Sequence, residues 1–190
     1  MISESELIEL ARVIDLAPSL CGSTTLVTID GPAGSGKTTL ASRLSDELNA
    51  KGKSVITIHM DNLYHGWSNA LGASLTRTLS NVVLNGIRSG CDYYLPQFDW
   101  RANIYVEPVR YESADLAIVE GVGSGQRVMR LETSISVWIE IADELGMDRV
   151  LRRDTSAISP QLKRFQRDQR EHFANEGSKF AVDYCFNGAP

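Results

Sequence analysis

At 190 residues the chain has the length of one domain with a proper core and room for a small lid. Acidic residues outnumber basic ones by 24 to 19, which argues against nucleic acid as the main ligand. No apolar run approaches membrane-spanning length, and the acidic start Met1-Ile2-Ser3-Glu4-Ser5-Glu6 is unlike a signal or transit peptide, so no membrane role and a cytoplasmic location are expected.

Ser3 with Glu6 predicts a capping box, and Leu7, Leu10, Ala11 and Ile14 an amphipathic helix stopped near Pro18, read as cover for a sheet. The β-branched run Leu26, Val27, Ile29 predicts a first strand. Next, Gly31-Pro32-Ala33-Gly34-Ser35-Gly36-Lys37-Thr38 matches the phosphate-loop pattern G-x-x-x-x-G-K-[ST] in full. Backbone N–H groups of such a loop wrap a polyphosphate, and the following helix aims its positive end at it. The expected nucleotide-binding residues are Gly31, Ala33, Gly34, Ser35, Gly36, Lys37, Thr38 and Thr39. Lys37 would neutralise the β- and γ-phosphates, and the Thr38 hydroxyl would bind Mg²⁺.

That helix is expected to end near Ala50, with Gly52 as its C-terminal cap. A second strand over 55–60 leads into Asp61, placed where open α/β sheets put their ligands, so residues 61–67 are a candidate active-site loop; a helix-capping role for Asp61 is the alternative. Residues 68–90 carry a helical pattern. Residues 93–100 read as an edge or lining segment because of Pro96, with 105–110 as a hairpin partner. A third buried strand over 115–121 presents Glu120, an acid suited to helping hold Mg²⁺. The glycine-rich run Gly121-Val122-Gly123-Ser124-Gly125 is read as a flexible turn.

A fourth strand is expected over 135–141 and a fifth over 181–186, with two charged helices between them, over 143–155 and after a loop at 156–160. Arg149 and Arg153 lie one turn apart, so they share a face and suit a lid closing over a transferring phosphoryl group. The expected architecture is an α/β three-layer α/β/α sandwich, with a five-stranded mostly parallel sheet and a helical arginine-rich lid over about 143–176, all in one domain. Cys21, Cys91 and Cys185 are odd in number and far apart, and are expected reduced and at least half-buried.

Four pieces together resemble the uridine kinase and phosphoribulokinase group of P-loop kinases: Ile29-Asp30-Gly31 through Lys37-Thr38; Asp61-Asn62-Leu63-Tyr64; Leu95-Pro96-Gln97-Phe98-Asp99-Trp100; and Val119-Glu120-Gly121. The run from Arg149 to Asp154 resembles the group's arginine–aspartate lid segment. The resemblance implies transfer of the ATP γ-phosphoryl group to a hydroxyl of a nucleoside or sugar-like small molecule. It implies Asp61 as general base and metal-shell partner, and Glu120 as the acid that orders Mg²⁺. The tyrosine and histidine with which nucleoside kinases recognise a pyrimidine fall on Phe98 and Asn103.

Tyr64, Phe98, Asp99, Trp100 and Asn103 are the expected acceptor-binding residues, since aromatic faces suit a base or sugar ring and polar groups suit hydroxyls. A homo-oligomer is compatible with the sequence. The alternative is an ATP-binding regulatory or sensing protein with weak ATPase activity, which could dispense with Asp61, Glu120 and the lid arginines. A signalling GTPase is disfavoured because no Asn-Lys pair occurs in the chain.

Overall fold

The computed structural model describes residues 2–154 and 158–188. Five parallel strands form the central sheet in the order β2-β5-β1-β6-β7: β1 is Thr25–Asp30, β2 Val55–His59, β5 Leu116–Glu120, β6 Ile135–Glu140 and β7 Tyr184–Asn187. The expected sheet is therefore present and wholly parallel. β1, at its centre, is buried along its whole length. In such a strand alternate side chains face opposite layers.

Val27 and Ile29, with Leu116 and Ile118 of β5, pack under α1 (Glu4–Leu16) and α2 (Lys37–Ala50). Leu26, with Ala117 and Val119, faces the other layer, where Leu75, Leu79, Val83 and Ile87 supply the apolar stripe. That stripe belongs to one helical stretch made of α3 (Ala73–Thr78), a π turn (Leu79–Val83) and α4 (Leu84–Arg88). It begins five residues later than the sequence pattern, because Gly72 is its N-cap and residues before it form a 3₁₀ turn, Trp67–Asn69. The capping box of α1 forms as expected, with Ser3 N donating to Glu6 Oε2 at 2.8 Å.

Strands β3 (Tyr93–Asp99) and β4 (Ile104–Tyr111) make a separate antiparallel hairpin, as Pro96 required. After the short α5 (Arg127–Arg130), the arginine-bearing helices are α6 (Asp143–Asp154) and α7 (Ser159–Glu176). Ser159 and Pro160, expected in a loop, open α7, where proline's missing N–H costs nothing. Residues 155–157 of that expected loop and helix end lie outside the described residues. Two expectations need correction. Cys91 and Cys185 are exposed, and only Cys21 is buried. The 121–125 run is anchored rather than flexible: Gly123 N and Gly125 N donate to the Asp30 carboxylate at 2.8 and 3.0 Å.

Asp30 also accepts from Gly31 N at 2.7 Å and is 1% exposed. One buried carboxylate thus fixes both loops at the carboxyl edge of the sheet. Asp30→Ala leaves three N–H groups without that acceptor and should cost about 2–5 kcal/mol of stability, read by urea unfolding. A loss below about 1 kcal/mol would contradict this anchoring.

Candidate active site

The phosphate loop runs from β1 into α2, whose first residue is Lys37. Gly36 is the N-cap, and no side chain caps the helix, so its first N–H groups are left for an anion. The Ser35 hydroxyl, lining the same cleft, is buried without a hydrogen-bond partner among the described residues. Both features fit a polyphosphate. Lys37 Nζ donates to the carbonyls of Gly31 and Pro32, each at 2.8 Å, which holds the ammonium across the loop. Burial pushes its pKa down, while Asp30, Glu120 and Asp61 oppose the shift.

Helices α6 and α7 both grip this loop. Gly34, at φ +79°, lies so close to Gly146 of α6 that a β-carbon there would sit 2.3 Å from the Gly146 carbonyl oxygen. From α7, the buried Gln169 accepts from Ala33 N at 3.1 Å. Arg149 donates to the carbonyls of Gly34 and Gly188 at 3.3 and 2.8 Å, tying loop, α6 and the end of β7 together. Arg153, by contrast, pairs with its neighbour Asp154 at 2.7 Å. Arg149 is therefore a structural tie as well as a charge beside the phosphate loop, while Arg153 is tethered only locally.

On the facing edge, parallel registers bring Glu120 beside Ile29 of β1 and His59 of β2. Glu120 is 4% exposed, and its Oε1 accepts from Thr38 Oγ1 at 3.0 Å and meets His59 Nδ1 at 2.6 Å. The bond to Glu120 raises the His59 pKa above its usual value. Asp61 stands two residues beyond β2, in the 3₁₀ segment Met60–Asn62. Trp100 Nε1 donates to the Asp61 carbonyl at 2.9 Å, which fixes the backbone there. The Asp61 side chain reaches cleft water, yet protein surrounds it deeply enough that desolvation, followed by the Glu120 charge, raises its pKa.

Lys37, Thr38, Asp61, Glu120, Arg149 and Arg153 line one cleft of about 990 Å³, large enough for a nucleotide and a small acceptor. Ala33, Gly34, Ser35, Gly36 and Thr39 line it too, whereas Gly31 lies beneath the loop and contributes its carbonyl to Lys37. Among the described residues no three His, Cys, Asp or Glu side chains form a metal cluster. A divalent cation would thus be held by the Thr38 hydroxyl, Glu120 and Asp61 together with phosphate oxygens and water, a hard-oxygen set that fits Mg²⁺. When bound, Mg²⁺ supplies charge neutralisation on the phosphates.

The expected acceptor residues divide. Trp100 and Tyr64 line the main cleft, though Tyr64 is buried and its hydroxyl donates to the Val122 carbonyl at 2.7 Å. Phe98 and Asn103 line a neighbouring pocket instead. Asp99 lines neither: its Oδ1 accepts from Arg101 N and Ala102 N at 2.8 and 2.9 Å, capping the hairpin turn. Trp67, at the end of the 61–67 segment expected to form an active-site loop, lines the main cleft, and so do Leu162 and Phe165, which were not anticipated. The i, i+3 apolar pair Leu162 and Phe165 was a readable signal that α7 turns a face inward.

An uncapped helix behind a glycine loop, with a lysine and two strand-end acids in one cleft, defines a P-loop nucleotide-binding protein. The chain belongs to the AAA_18 family, described as an AAA domain, whose model matches residues 27–175. Over 57 residues it is 44% identical to adenylyl-sulfate kinase 3 of Arabidopsis thaliana, a stretch covering 30% of this chain and 27% of that protein. A possible uridine kinase from Bacillus stearothermophilus superposes with a TM-score of 0.66 at 20% identity, covering 94% of this chain and 99% of that one. A protein ascribed as a kinase of a fructose transport system in Silicibacter sp. TM1040 gives 0.68 at 18% identity, covering 95% and 98%. These structural likenesses are of fold: an α/β three-layer P-loop fold. No helix among the described residues is long and apolar enough to cross a membrane.

Because the two lid arginines differ in their partners, their substitutions should separate. Arg149→Ala removes donors to two carbonyls and should cost about 1–2 kcal/mol of stability, whereas Arg153→Ala, at an exposed local pair, should stay within about 0.5 kcal/mol. Equal melting temperatures for the two variants would contradict the tie assigned to Arg149.

Proposed function

We propose that this protein is an ATP-dependent kinase that transfers the γ-phosphoryl group to a hydroxyl of a nucleoside-like or sugar-like small molecule. The observation that carries this reading is the placement of Asp61 in the same cleft as Lys37, Thr38 and Glu120, with Arg153 as a further cleft cation. An ATP-sensing protein needs the loop alone. A phosphotransferase of this kind also uses a carboxylate toward the acceptor, and the bond from Trp100 to the Asp61 backbone supports Asp61 in that role.

The reaction assigned to these residues runs as follows. The loop N–H groups and Lys37 bind the phosphates, and Lys37 and Arg153 offset charge that builds on the transferring group. Asp61 accepts the proton of the acceptor hydroxyl as its oxygen bonds to phosphorus, and the bond from phosphorus to the β-phosphate oxygen breaks, leaving ADP. Glu120 keeps the Thr38 hydroxyl oriented toward the metal position. Trp67, Trp100 and Phe165 exclude water from the acceptor side and offer flat apolar surface to a ring.

Two tests follow from this division of roles. Lys37→Ala should lower kcat by about two orders of magnitude with the fold intact, and Asp61→Asn should bind ATP normally while transfer collapses. Normal acceptor phosphorylation by Asp61→Asn at saturating Mg²⁺ would remove the base from the mechanism.

Carbon NMR of the metal-free protein supplies the second. Desolvation and then the Glu120 charge raise the Asp61 pKa, so its carboxyl signal should titrate above the usual aspartate range. Glu120→Gln removes the like charge beside it and should move that titration downward. A titration unmoved by Glu120→Gln would contradict the coupling of the two carboxylates.

A further inference from the structure

A second pocket, of about 330 Å³, opens beside the main cleft. It is lined by His65, Trp67, Phe98, Asn103, Gln161 and Arg164 among others. Trp67 lines both cavities and packs on Trp100 with ring centroids 5.1 Å apart. Trp100 in turn holds the Asp61 backbone, so the small pocket continues the aromatic wall that borders the base.

Its polar lining is of one kind. A guanidinium, an imidazole, two side-chain amides and the Ser68 hydroxyl surround it, and no lining residue is a carboxylate. All of these groups can donate hydrogen bonds. The contrast with the rest of the molecule is direct: the chain carries a net charge of −5, and the main cleft contains Asp61, Glu120 and Asp154. Arg164 and Gln161 lie three residues apart on α7, which puts both on one helical face.

Among the described residues the Arg164 guanidinium has one ionic neighbour, Asp168, at 3.9 Å, with both side chains largely in water. Such a pair holds weakly and leaves the fork of donors open to another anion. Gly66 and Asn103 complete the lining, at φ +67° and +57°, left-handed backbone that glycine and asparagine adopt most readily. A β-carbon on Gly66 would come to 3.2 Å from Asn103 Oδ1, so the two loops approach closely there.

Resting on the kinase reading, we infer that this pocket receives an anionic end of the acceptor, a carboxylate or a phosphate ester, with Arg164 as its principal partner. The substrate class is then a hydroxylated acid or a phosphorylated polyol, its hydroxyl at Asp61 and its anion past Trp67. Planar guanidinium and amide donors match the oxygen pairs of either anion, and the pocket is too small for a second nucleotide.

The test compares matched probes on the full chain by calorimetry with MgADP present: D-glycerate against glycerol, and ribose 5-phosphate against ribose. At least one acid should bind tenfold or more tightly than its neutral counterpart, and Arg164→Met should remove that preference while Arg164→Lys restores part of it. The pair that responds distinguishes a carboxylate site from a phosphate site. Equal binding within both pairs, or a preference that survives Arg164→Met, would overturn the inference. Inorganic phosphate binding as tightly as ribose 5-phosphate would overturn it too, by making this a free-anion site. Transfer assayed on the same probes separates the two readings: phosphorylation of neutral alcohols without preference for the acids overturns the anionic pocket and leaves the kinase. Arg164-dependent binding of an acid with no ADP released from ATP by any alcohol supports the pocket and counts against the kinase.

Discussion

A carboxylate buried at the centre of the sheet, Asp30, is the constraint on which the site depends. It ends β1, accepts from the first N–H of the phosphate loop and from two N–H groups of the 121–125 loop, and has almost no contact with water. Burial raises its pKa, and the three N–H donors and nearby Lys37 oppose that shift. A buried anion without such partners would be strongly destabilising. With them, it locks the two loops that leave adjacent strands, and these are the loops that frame the cleft.

The placing of the cleft's polar residues follows from parallel pairing around that point. The register of β5 on β1 and on β2 sets Glu120 beside Ile29 and His59, and so within reach of Thr38 on α2. Asp61 leaves β2 at the same edge. Helices α6 and α7 are built into this frame, because Gly146, Arg149 and Gln169 all contact the phosphate loop directly. Motion of α6 or α7 would therefore be felt by the loop through packed atoms and hydrogen bonds, a physical route for coupling acceptor binding to phosphate binding.

The sheet was legible because strands buried on both faces read as unbroken β-branched runs, and the phosphate loop because its chemistry tolerates few residue types. Asp61 and Glu120 were legible as the first acids after such runs. What stayed hidden depended on contacts between distant parts of the chain. The bond from Ala33 to Gln169 spans 136 residues, and no local pattern in α7 marks Gln169 as the partner of the phosphate loop. Nothing local marks His59 as the partner of Glu120, which the register of β2 on β5 puts against it. The 121–125 glycines suggested mobility, since nothing local announces that a carboxylate some 90 residues earlier accepts their N–H groups. Asp99 alternated to the expected face but closes its own turn, a local competition that Asp often wins over longer-range roles.

Phosphorus NMR of the protein with MgATP and a panel of nucleosides, sugars, hydroxy acids and sugar phosphates tests the central claim most directly, because it reports where the γ-phosphoryl group goes. The account predicts that at least one acceptor yields a new phosphate monoester signal in step with ADP. ATP converted only to ADP and inorganic phosphate, at a rate no acceptor changes, would contradict it.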